Sequence, residues 1–158
     1  MVNNTKHPIG WREWVLVDAL GLPPIKAKID TGARTSALHA FNVRAFTRRG
    51  QKWVRFRVHP RQGDQQYAVT CESRVVDRRP VTDSGGHTSK RYVILCPLTM
   101  QGHAWPVELT LTNRDSMLFR ILVGRTALKG RFLVDPARSF LLGGSKDAPP
   151  EQLTCSDS

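Results

Sequence analysis

The stretch KWVRFRVH, residues 52–59, alternates strictly, with Val54, Phe56 and Val58 set against Arg55, Arg57 and His59. Period-two alternation sends successive side chains to opposite faces of a strand and gives a helix no apolar stripe. This stretch is therefore expected to be a half-buried strand with a cationic outer face. The same period governs most of the chain. Residues 43–59 read as a hairpin turning near Arg49-Gly50, and 14–20 with 22–32 as another, with Ile25, Ala27 and Ile29 on one face. A third runs over 91–112, turning at Gln101-Gly102, with Val107, Leu109 and Leu111 pointing one way. Residues 60–90 are polar and rich in turn formers, so they read as loop. Only 117–132 carries a helical signal, opening near Gly124 and closing at Gly130. Residues 132–144 read as strand, turn at Asp135-Pro136, and final strand. The expected class is mainly β with one short helix near the C-terminus.

The chain has 158 residues and is 40% hydrophobic, enough for the core of one domain. We expect residues 1–13 to be a leading segment, 14–144 the domain, and 145–158 a mobile tail with little to bury. The first residues, MVNNTKHPIGWREW, lack the apolar run of a signal peptide. No stretch approaches the length of a membrane span. A cytoplasmic address with no membrane partner is expected. Cys71, Cys96 and Cys155 are odd in number and far apart, which suggests free thiols. The unusual bulk property is charge: 24 Lys plus Arg against 13 Asp plus Glu, net +11. Such a field draws polyanions without choosing among them.

Residues 28–41 read KIDTGARTSALHAF. Asp30-Thr31-Gly32 has the composition of an ordinary turn, but its context does not. It ends an apolar strand, is followed by Ala33, and has a downstream counterpart in Ile121-Leu122-Val123-Gly124 leading into a helix. That pairing resembles the retroviral-type aspartic proteases, and the likeness extends from about residue 14 to 142. It implies a retropepsin-like closed β-barrel, the acid protease fold. Asp30 would be the catalytic carboxylate, Thr31 would hydrogen-bond across to a partner loop, and Gly32 would let backbone and substrate approach without a Cβ. Two carboxylates held close share one proton, so the pair serves as base toward water and acid toward the scissile carbonyl. One Asp cannot do this alone. Asp83-Ser84-Gly85 is a weak internal second motif, because its apolar lead-in is poor and the chain is about half the size of a two-lobed enzyme. A C2 homodimer, each chain giving one Asp30, is the simpler solution. Ser84, Gly85 and Gly86 then suit the tip of a flap over the substrate, with the 47–52 turn as competitor.

KIDTGARTSALHAF, VELTLTNRDSMLFRILVGRTAL and FLVDPARSFLLGG together resemble a narrower group, the bacterial RimK-associated retropepsin-like (RimB-like) peptidases, also labelled ATP-dependent zinc proteases. RimK is a ligase that adds glutamates to the C-terminus of a small-subunit ribosomal protein. The resemblance implies an aspartic endopeptidase cutting glutamate-rich or glutamylated tails, with the ligase as a further partner. Ala33, Arg34, Arg55, Arg57, Arg78 and Arg79 would contact such an acidic strand through charge-assisted hydrogen bonds. The residues give no support to zinc or ATP. His7, His39, His59, His87 and His103 form no helical ligand pair, and GGSK at 143–146 lacks the phosphate-loop pattern. No metal and no cofactor are expected. The competing reading is a catalytically silent basic module that docks on the ribosome, RNA or an acidic partner, with Trp53 and Phe56 free to stack if exposed.

Overall fold

A computed structural model describes residues 6–82, 85–100, 102–113 and 118–145. Strand follows strand in chain order: β1 (His7–Gly10), β2 (Arg12–Val15), β3 (Ile25–Asp30), β4 (Ser36–His39), β5 (Phe41–Arg48) and β6 (Gln51–Val58). They continue as β7 (Val69–Arg74), β8 (Asp77–Thr82), β9 (Thr88–Met100), β10 (His103–Thr112), β11 (Ile121–Gly124) and β12 (Phe132–Asp135). The chain is thus mainly β. The expected helix opens after Gly124, where strand Ile121–Gly124 ends, but is a single turn, α1 (Arg125–Leu128), because the backbone leaves the helical conformation at Lys129 (φ −58°, ψ 128°), before Gly130. Among the described residues no helix is long and apolar enough to cross a membrane.

Seven strands pair in the order β2-β3-β11-β4-β10-β9-β8, β5-β6-β7 form a separate sheet, and β1 lies parallel to β12. The expected closed barrel does not form. The large sheet curls until Leu16 and Thr99 exchange two N–H···O bonds of 2.9 Å in one isolated bridge. After Val15, however, the chain leaves for a 3-10 turn at Asp18–Leu20, so β2 is too short to ladder along β9. The inner face of β6, Val54, Phe56 and Val58, is fully buried and joins Ile25, Ala27, Leu98 and Leu109 in one core. Phe56 is therefore core and not a stacking surface, whereas Trp53 on the opposite face is half-buried.

The loop reading of 60–90 is corrected by β7 and β8, which are held by pairing with β6 and β9. Pro80 is tolerated because β8 is an edge strand. Among the described residues strand pairing begins at His7, and Ile9 is fully buried. The final strand expected before residue 144 is absent: the Phe140 N–H donates to the Arg12 carbonyl, and those of Leu141 and Leu142 donate to the Glu13 carboxylate. Residues 146–158, including Cys155, lie outside the described residues.

Candidate active site

Ile25, Ala27 and Ile29 face the core, so the alternation of β3 leaves Asp30, its last residue, half-buried at the strand end. β3 runs parallel to β11, with Asp30 opposite Gly124. The Gly32 N–H donates to Asp30 Oδ1 at 3.1 Å, and the Ala33 N–H to the Asp30 carbonyl at 3.2 Å, so the loop folds back on the carboxylate. A second clamp comes from α1. The Arg125 N–H donates to the Ala33 carbonyl at 2.7 Å, and Thr126 donates to the Arg34 carbonyl through both its N–H (3.1 Å) and its hydroxyl (2.8 Å). Buried Ser36 accepts the Gly124 N–H at 2.9 Å. The Ile-Leu-Val-Gly strand and helical turn thus hold the Asp-Thr-Gly loop from behind, while Thr31 and Gly32 stay exposed.

Two cavities flank the loop. One of about 590 Å³ is lined by Thr31, Leu128 and Phe132 together with four cations, Lys6, Arg34, Arg125 and Lys129. The other, about 470 Å³, is lined by Arg34, Thr35, Arg79, Pro80, Val81 and Glu108, among others. Arg34 belongs to both. Arg79 donates from Nε to Asp77 at 2.8 Å and from Nη1 to Glu108 at 3.0 Å, which leaves it less free for a ligand than Arg34. The hydrogen bond from Arg79, then that from the Arg78 N–H, holds the Asp77 carboxyl below its usual range. Glu108 is the one carboxylate among the described residues lining either cavity.

Of the other expected contacts, Ala33 sits in the loop itself and Arg78 lies over the Tyr92 ring at 5.1 Å. Arg55 and Arg57 are exposed on the separate three-stranded sheet and line neither cavity. Gly85 and Gly86 lie in the turn joining β8 to β9, with Gly86 at φ +85°, a left-handed conformation that suits glycine. Ser84, like Asp83, lies outside the described residues. Reading the sequence for arginines near Asp-Thr-Gly missed Lys6, Arg125 and Lys129. Arg125 had a signal, since it comes directly after Leu-Val-Gly, but Lys6 reaches the site only through the β1–β12 pairing.

Among the described residues no three or more His, Cys, Asp or Glu side chains gather closely enough to hold a metal ion. Cys71 and Cys96 are buried free thiols. Burial, aided by Cys96, pushes Cys71 up to about 12, and burial pushes Cys96 up to about 11.

A half-buried aspartate at the end of a parallel strand, gripped by a strand-Gly-helix element, defines a β protein built around an Asp-Thr-Gly loop. Residues 8–143 match the family described as retropepsin-like aspartic endopeptidase RimB, and the chain belongs to that family. It is 51% identical over 152 residues to a probable alpha-L-glutamate ligase of Shewanella halifaxensis, which covers 96% of this chain and 33% of that one. It is 45% identical over 138 residues to a protein of the same description from Desulfotalea psychrophila, with coverages of 87% and 30%. The chain therefore spans about a third of the length of these relatives. A crystal structure of a Legionella pneumophila protein of unknown function (DUF785) is 27% identical, with a TM-score of 0.72, covering 87% of this chain and 98% of that one.

Proposed function

We propose that this chain is one half of a cytoplasmic, retropepsin-like aspartic peptidase, completed by a second copy. Asp30 of each chain contributes to a carboxylate pair that takes a proton from water and returns one to the leaving amide nitrogen. Thr31 bridges the two loops, and the β8–β9 hairpin covers the bound strand as a flap. The substrate is a glutamate-rich or glutamylated tail, with that of a ribosomal protein as the leading candidate.

The observation that carries this reading is that the Asp-Thr-Gly loop, with Thr31 and Gly32 exposed, places Thr31 in the wall of a cavity bearing Lys6, Arg34, Arg125 and Lys129. Acidic chains are repelled by most surfaces, and a cleft with several cations binds them by charge-assisted hydrogen bonds. The relatives named probable alpha-L-glutamate ligase carry this segment within a chain about three times as long. A module that trims glutamates is chemically apt beside one that adds them, which also makes such a ligase a candidate partner.

The test is mass spectrometry of a glutamate-tailed peptide incubated with wild type and with Asp30→Asn, both in EDTA. The reading predicts shortening by wild type alone. Failure of both proteins favours the silent basic binding module, and activity that requires added zinc favours a metallohydrolase.

A further inference from the structure

In the three-stranded sheet β5-β6-β7, β6 buries Val54, Phe56 and Val58 and β7 buries Cys71, β5 buries no residue, and the opposite face carries exposed Arg44, Arg48, Arg55, Arg57 and Arg74. Directly paired residues share a face, so the register places Phe41 beside Arg57, Arg44 beside Arg55, and Phe46 beside Trp53 on the outer side. The next ladder adds Arg74 beside Trp53 and Glu72 beside Arg55. The outer face thus carries five arginines against one glutamate among the described residues.

This arrangement works against the fold's own stability. Arg44 stands directly opposite Arg55, a like-charge pair that costs stability in a sheet. Glu72 offsets only part of this: it takes Arg48 at 3.0 Å and Arg55 at 2.6 Å. Arg44, Arg57 and Arg74 make no ion pair among the described residues. A local rule broken with only partial compensation is a mark of a binding surface.

The aromatic rings say which polyanion fits. Phe46 and Trp53 lie nearly parallel, 6.4 Å apart, and both are half-buried. Guanidinium groups are layered over them, Arg48 at 4.6 Å from the Trp53 centroid and Arg55 at 5.3 Å from Phe46, while Arg57 lies 5.7 Å from Phe41. An acidic peptide needs the charges alone. Unpaired bases use both, since they stack on aromatic rings and on guanidinium planes while the phosphates meet the remaining cations.

We propose that this outer face is a docking surface for single-stranded RNA, distinct from the two cavities beside the Asp-Thr-Gly loop. The choice of RNA over DNA rests on the ribosomal substrate proposed above; the chemistry of the face does not.

Fluorescence anisotropy with a labelled twelve-nucleotide oligouridylate tests this, with oligo-dT of equal length and hexaglutamate as competitors. Wild type and Asp30→Asn should bind equally, so the result does not depend on peptidase activity. Trp53→Ala should weaken binding about tenfold. Arg44→Gln/Arg57→Gln, both exposed and outside the Glu72 cluster, should make the dependence of log K on log salt shallower by about 1.4. Arg34→Gln should bind as wild type does. Absence of RNA binding, loss of it in Arg34→Gln with the sheet variants unaffected, or competition by hexaglutamate equal to that of RNA would each overturn the proposal. Equal competition by oligo-dT would overturn RNA as the occupant.

Discussion

Gly124 lies flat against Thr35: a Cβ placed on it would come within 2.3 Å of the Thr35 carbonyl oxygen and 3.0 Å of that of Ala33. The φ of Gly124 is an ordinary −89°, so what requires glycine is the contact. Both obstructing atoms are backbone, and neither can rotate away. Gly124→Ala should destabilise the protein by about 3 kcal/mol, read as a lower urea midpoint. An unchanged midpoint would show that the loop and β11 are not locked together.

Glu13 is completely buried and accepts N–H bonds from Gly10, Leu141 and Leu142, the last two at 3.0 and 3.1 Å. One carboxylate thus fastens the C-terminal segment to the β1–β2 corner. Glu13→Gln turns a donor toward these donors and should cost about 2–3 kcal/mol. Amide exchange at Leu141 and Leu142 should rise more than at β10. Uniform protection in the variant would contradict this role.

Legibility in the sequence depended on which forces were local. The hairpin around Arg49-Gly50 and the one joining β9 to β10 announce themselves by alternation, because each buries one face along its own length. β8 does not: Asp77-Arg78-Arg79-Pro80 has no apolar period, and only its pairing to β9 makes it a strand. Likewise, the segment after β12 had the apolar content of a strand, but a single distant glutamate captured its amides. At the candidate site, Asp30 and its glycine partner were readable from motif and spacing. Lys6 and Lys129 were not, because which cations converge depends on how β1, α1 and β12 pack.

His103 sits in edge contact with His7 at 5.0 Å and with Phe132 at 5.2 Å. Burial, then the neighbouring His7 and Arg131, pushes its imidazole below the ordinary 6.5. The unfolded chain therefore takes up a proton first as pH falls. Stability from this site is full above 6.5 and declines as pH drops toward the lower folded value. His103→Gln should flatten the fall in Tm between pH 7 and 5. An identical slope in both proteins would refute the assignment.

Arg34 borders both cavities, and Arg125 and Lys129 border the larger. Arg34→Gln should raise KM for a glutamate-tailed peptide about tenfold with kcat within about twofold, since a ground-state ion contact is lost. A fall in kcat at constant KM would instead place Arg34 among the groups that stabilise the transition state.

The central claim is that two chains each supply one Asp30. The most direct measurement mixes wild type with increasing Asp30→Asn at constant total protein, after subunit exchange, and follows shortening of a glutamate-tailed peptide in EDTA. The account predicts no cleavage by pure Asp30→Asn and activity that falls as the square of the wild-type fraction, because mixed pairs hold a single carboxylate. A linear decline, or cleavage by the pure variant, would contradict it.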